Sequence, residues 1–131
     1  MLLDTSGLYI FLDATDFRQS TSALLLQTAS SRITHNYVLA ELVAFCNARR
    51  VNRSNALAFL DYLVDNPEVR VVWVSQQETR QALQFLRERP DKAYSLCDAI
   101  SFLIMRKAGV TDALTSDRHF EQQGFVRLLP P

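Results

Sequence analysis

Cysteine is scarce: Cys46 and Cys97 are the only two in 131 residues, and no Cys/His spacing resembles a zinc site. Both lie in apolar, helix-patterned surroundings, where a free thiol behaves as a small hydrophobe. This argues against a disulfide scaffold and for a reduced, cytosolic setting. Glycine and proline are also sparse, at 3 and 4 residues, and two of the prolines are the pair Pro130-Pro131. With so little punctuation there is no linker, repeat or low-complexity tract. No apolar run reaches the roughly 18 residues of a membrane span. The start Met1-Leu2-Leu3-Asp4 lacks the basic region and long apolar stretch of a signal peptide. A soluble, cytoplasmic protein with no membrane partner is expected. Excess charge is missing too, because 14 basic and 14 acidic side chains cancel. That disfavours a generally cationic nucleic-acid binder, but not a nuclease with local basic patches around an acidic centre.

What the chain does have is apolar sequence, at 48% hydrophobic, enough for the core of one domain spanning residues 1–131. Short apolar strands are expected at Met1–Asp4, Arg32–Thr34, Val69–Val74, Asp112–Thr115 and Phe125–Leu129. Helical periodicity fills the intervals: Gly7–Leu12, Ser20–Ser30, His35–Arg50, a helix capped by Asn52 or Ser54 and ended by Pro67, one from Ser75 or Gln77 towards Pro90, and Ser95–Gly109. Strands alternating with helices predict an α/β fold, a short parallel sheet covered on both faces. Ligands in such folds bind beyond the carboxyl ends of the strands.

Four acidic residues fall at that edge of the predicted sheet. Asp4 ends the first strand, Glu41 is early in the helix after the second, Asp98 is in the first turn of a later helix, and Asp117 follows the strand at Ala113-Leu114. Each sits in apolar sequence, where a bare carboxylate is costly. Taken singly they have ordinary explanations. Asp4 and Asp117 suit helix caps, Ser95-x-x-Asp98 resembles a capping box, and Glu41 could be an exposed helical face. Taken together they repel one another, and magnesium or manganese resolves that repulsion by binding carboxylate, water and phosphate oxygens. Thr5, Ser6, Thr115 and Ser116 flank the acids and are candidates to orient them or their waters. The same hydroxyls could instead serve local turn bonding.

The motifs Leu3-Asp4-Thr5-Ser6, Asn36-Tyr37-Val38-Leu39-Ala40-Glu41, Leu96-Cys97-Asp98-Ala99-Ile100-Ser101-Phe102 and Ala113-Leu114-Thr115-Ser116-Asp117-Arg118-His119-Phe120 occur in order, the last followed by Gly124-Phe125. In these the chain resembles PIN-domain ribonucleases, of the kind found as VapC-like toxins of bacterial toxin–antitoxin pairs. The resemblance spans essentially the whole chain. It implies a three-layer α/β/α fold and a Mg2+- or Mn2+-dependent endoribonuclease acting on RNA. It also implies Asp4, Glu41, Asp98 and Asp117 as catalytic metal ligands, with Thr115 supporting Asp117. A homodimer and a small antitoxin that fills the site follow from the same resemblance. One departure is that only three residues precede Asp4, so the first strand is short.

Among the basic residues, Arg118 is the candidate phosphate contact. Arg49, Arg50 and Arg53, Arg87, Arg89 and Lys92, and Arg106 and Lys107 read as solvated helix ends. His35 and His119 do not form a metal-ligand pair by spacing, and Trp73, Phe102, Tyr37 and Phe45 read as core or contact aromatics. The alternative function is a catalytically inactive PIN-like module that binds RNA or protein. A receiver-type phosphoacceptor is disfavoured, because Val69–Val74 is followed by Ser75-Gln76-Gln77 with no acid.

Overall fold

The computed structural model describes residues 1–49 and 51–131; Arg50, expected at a helix end and in a basic cluster, lies outside them. The elements are β1 (Leu2–Leu3), α1 (Thr5–Leu12), α2 (Gln19–Thr28), β2 (Arg32–His35), α3 (Asn36–Arg49), α4 (Arg53–Asp65), β3 (Val69–Val72), α5 (Gln76–Arg87), α6 (Leu96–Ala108), β4 (Asp112–Leu114), α7 (Arg118–Gln122) and β5 (Val126–Arg127). The strands form one parallel sheet in the order β3-β2-β1-β4-β5, so the expected α/β class holds.

The pleat explains the three layers. Successive side chains of a strand face opposite ways. Leu3 joins an apolar cluster with Leu8, Val38, Leu42 and Leu63, whereas Leu2 joins one with Ile33, Ile100, Phe102 and Phe120. Helices α1, α3 and α4 contribute to the first cluster, and α5, α6 and α7 to the second. No described helix is long and apolar enough to cross a membrane.

The helix boundaries follow from local chemistry. Asn52 caps α4 by accepting from Asn55 N, Ser75 and Glu78 form a capping box on α5, and Gly109 ends α6 in the left-handed region at φ 66°. Several expected boundaries move. Helix α1 begins at Thr5 rather than Gly7, because Asp4 caps it. His35 closes β2 instead of opening α3, since it pairs with Val72. Strand β3 stops at Val72, and Trp73 beyond it is 64% exposed, so of its two expected roles, core or contact, the core role is incorrect. Phe102 is fully buried as expected, and Cys46 and Cys97 are buried free thiols.

Strand order places the site. The chain steps outward from β1 to β2 to β3, then crosses back to lay β4 on the other side of β1. The carboxyl ends of β1 and β4 therefore flank a topological switch point, where connections diverge and leave a crevice. Asp4 follows β1 directly, and Thr115, Ser116 and Asp117 follow β4.

Candidate active site at the switch point

Asp4 is the N-cap of α1 and is only 5% exposed. Its Oδ2 accepts from Ser6 N at 3.4 Å, Ser6 Oγ at 3.0 Å and Thr115 Oγ1 at 2.7 Å. The two hydroxyls lie 3.0 Å apart and are themselves held by the β4–α7 loop: Ser116 N donates to Ser6 Oγ and Asp117 N to Thr115 Oγ1, each at 3.0 Å. Each hydroxyl thus accepts a loop N–H on one side and faces the carboxylate on the other. This relay locks the Asp117 loop to Asp4. Ser116 contributes its backbone, and Thr5 is buried with its Oγ1 lacking a hydrogen-bond partner.

Asp98 occupies the third position of α6 in a reciprocal capping box with Ser95. Its Oδ2 accepts from Ser95 N at 3.0 Å and lies 3.0 Å from His119 Nδ1. Asp117 caps α7 by accepting from His119 N at 2.9 Å, and its Oδ2 is 3.4 Å from the same Nδ1. The imidazole is braced edge-on by Tyr94, whose hydroxyl is held by Gln123. Asp98, Asp117 and His119 present ligand atoms within 4.8 Å of one another and could hold a metal ion.

The capping and site readings of Asp4, Asp98 and Asp117 are therefore not rivals. Each carboxylate caps a helix and thereby faces the same edge of the sheet. The positive helix ends moderate the repulsion of the gathered acids. Glu41, half-buried in the second turn of α3, is near enough for its charge to act on Cys97 but is not among the residues whose ligand atoms cluster. Burial and then the nearby charges of Glu41, Asp4 and Asp98 push the Cys97 thiol far above its ordinary range, so Cys97 lies amid three of the four acids as a neutral thiol.

Burial, reinforced by the charge of Asp98 and opposed by the Thr115 and Ser6 hydrogen bonds, raises Asp4 to about 6. His35, wholly buried with Nε2 2.8 Å from Ser101 Oγ and Nδ1 unpartnered, is lowered by burial to about 4. The signs oppose. As pH falls from 6.5 to about 4, unfolded His35 takes up its proton first, so its contribution to stability is lost. As pH falls from about 6 to 3.8, folded Asp4 takes up its proton first, so stability is gained. Each shift is worth roughly 3 kcal/mol, so the two nearly cancel. In chelator-treated protein, urea unfolding of Asp4→Asn should show stability falling from pH 6.5 to 4.5, while His35→Asn should show it rising. Parallel profiles for wild type and both variants would contradict these assignments.

Of the remaining candidates, Arg118 is exposed at the first position of α7, beside Asp117. Arg106 and Lys107 lie at the far end of α6 from Asp98; Arg106 bonds Gln123 and Lys107 pairs with Glu78. Arg89 stacks on Phe85. The sequence offered no metal-ligand partner for His119 by spacing, because one of its two aspartate partners is distant in the chain. Asp117 is a near neighbour, but Asp98 arrives from a separate helix. The recoverable signal was Asp117-x-His119, a cap whose second residue points back to the capping carboxylate.

The PIN domain family model matches residues 1–126. The chain is 32% identical over 131 residues to the 23S rRNA-specific endonuclease VapC20 of Mycobacterium tuberculosis strains CDC 1551 / Oshkosh and ATCC 25618 / H37Rv, covering 99% of this chain and 98% of the relative. The fold matches the crystal structure of Mycobacterium tuberculosis VapC20, described as a sarcin-ricin loop cleaving toxin, with a TM-score of 0.86 at 31% identity. That match covers 99% of this chain and 98% of the other.

Proposed function

The chain belongs to the PIN-domain family, and from that premise we propose that it is a divalent-metal-dependent endoribonuclease, the toxin of a toxin–antitoxin pair. In this reading Asp4, Glu41, Asp98 and Asp117 hold Mg2+ or Mn2+ at the switch point. The observation that carries it is the delivery of Asp4, Asp98 and Asp117 by three helix N-termini to one edge of a PIN-type sheet. The donor set suits such an ion: clustered carboxylates, one raised to about 6 by burial and a like charge, are relieved by a cation. When bound, the ion supplies an activated water and neutralises charge on the phosphoryl group.

The chain's own residues do the rest. Ser6 and Thr115 fix Asp4 in one orientation and tie it to the Asp117 loop. Asp4 loses its proton before the ion can bind, so binding weakens below about pH 6. Arg118, exposed beside the site, meets the RNA backbone. By likeness to VapC20, large-subunit ribosomal RNA and its sarcin-ricin loop are the first substrates to test. A small antitoxin would occupy the same crevice, the toxin would act as a homodimer, and the working compartment would be the bacterial cytoplasm. The inactive binding-module alternative loses ground, because all four acids are present and the relative is named an endonuclease.

The test is incubation of the purified chain with 23S rRNA. Cleavage at one or few sites is expected with Mn2+ or Mg2+, with abolition by EDTA and recovery on adding metal back. Tight RNA binding without cleavage under any metal would favour the binding module instead.

A further inference from the structure

We propose that His119 is itself a ligand of the ion, through Nδ1, and that it biases the site towards Mn2+ and related transition metals over Mg2+. This rests on the metal-site reading above and extends it to a nitrogen donor.

His119 Nδ1 stands 3.0 Å from Asp98 Oδ2 and 3.4 Å from Asp117 Oδ2. Ligands bonded at about 2.1 Å to one ion lie roughly 3.0 to 3.4 Å apart when adjacent, whether the geometry is octahedral or tetrahedral. The nitrogen therefore has, to each carboxylate, the spacing of an adjacent position around one ion. The ring is also prepared for the task. Tyr94 packs edge-on at 5.1 Å between centroids, and Gln123 Nε2 holds the Tyr94 hydroxyl at 2.9 Å. This packing restricts rotation of the ring. The backbone contributes as well, because His119 N donates to Asp117 and sets the loop so that Nδ1 turns towards both acids.

Without an ion, Nδ1 can carry a proton and donate it to Asp98. With an ion, it offers its lone pair instead. Imidazole suits Fe2+, Ni2+ and Zn2+ best and Mn2+, at the start of the first-row series, more weakly, whereas Mg2+ takes oxygen ligands and retains water. A nitrogen at this position therefore favours the former.

Pulsed EPR of the Mn2+-loaded full chain decides the matter. The expected result is 14N modulation from a directly coordinated imidazole, lost in His119→Gln. The chain's only other histidine, His35, is fully buried and bonded to Ser101, so such a signal has one histidine source. In parallel, titration should show His119→Gln reducing the preference for Mn2+ over Mg2+ by roughly tenfold or more. Bound Mn2+ without nitrogen modulation would overturn the His119 assignment while leaving the carboxylate site intact. Failure of the wild type to bind Mn2+ would overturn both. If His119→Gln does not fold, the wild-type spectrum still decides ligation.

Discussion

Asp98→Asn should lower RNA cleavage by roughly 10²- to 10³-fold while leaving the fold in place. Asparagine keeps the shape of the side chain, and its carbonyl oxygen can still accept the Ser95 N–H that closes the capping box. What is lost is a negative charge beside His119 and Asp117. Losing a cap should cost only about 1 kcal/mol of stability, so the two roles of Asp98 separate. Ser95→Ala supplies the complementary case. It removes the hydroxyl that accepts from Asp98 N, so it should lower stability by about 1 kcal/mol and leave the charge of Asp98 in place. Initial cleavage rates measured beside urea unfolding curves separate the roles. A variant Asp98→Asn that cuts RNA at the wild-type rate would reduce Asp98 to a structural cap.

Gly7→Ala is expected to destabilise the fold by roughly 3 kcal/mol or more. In an ordinary helix the same change is favourable by up to about 1 kcal/mol. Here an added Cβ would overlap the Leu114 carbonyl oxygen and sit 2.6 Å from its carbon, far inside van der Waals contact. Both are backbone atoms of β4 and cannot swing aside. The strand and α1 must separate, and the contacts that depend on their closeness go with them. Asp4 N donates to that same Leu114 oxygen, and Thr115 reaches Asp4 Oδ2 at 2.7 Å. Any variant that folds should therefore also lose metal affinity and cleavage. Urea denaturation checks the first effect, and a Gly7→Ala protein within about 0.5 kcal/mol of wild type would contradict the close approach.

The role of Gly7 was invisible in the sequence because it arises between elements far apart in the chain. Other features were legible because they are local. Ser75, Ser95 and Asn52 announce their helices through a hydroxyl or amide three residues before the N–H it accepts. The apolar strands and their alternation with helices gave the sheet and its carboxyl edge. Asp4 and Asp117 were placed correctly at that edge because each follows a strand within a few residues. Asp98 depended on the long connection before α6, which no local pattern describes. His35 was misplaced into α3 because β2 runs into that helix without a turn, and only the pairing with Val72 marks its end. Trp73 looked like core because it continues an apolar run, but β3 is an edge strand and its chain leaves the sheet after Val72. His119 shows the same limit from the chemical side, since its second carboxylate comes from a different helix.

In the proposed mechanism Asp4, Glu41, Asp98 and Asp117 make one cation site at the switch point of the sheet. Anomalous diffraction from a crystal of the wild-type chain soaked in Mn2+ tests it most directly. A peak bounded by the carboxylates of Asp4, Asp98 and Asp117, within reach of Glu41 and next to His119, is the predicted result. Manganese bound elsewhere in the crystal, or no peak at this crevice, would mean that Asp4, Asp98 and Asp117 only cap helices.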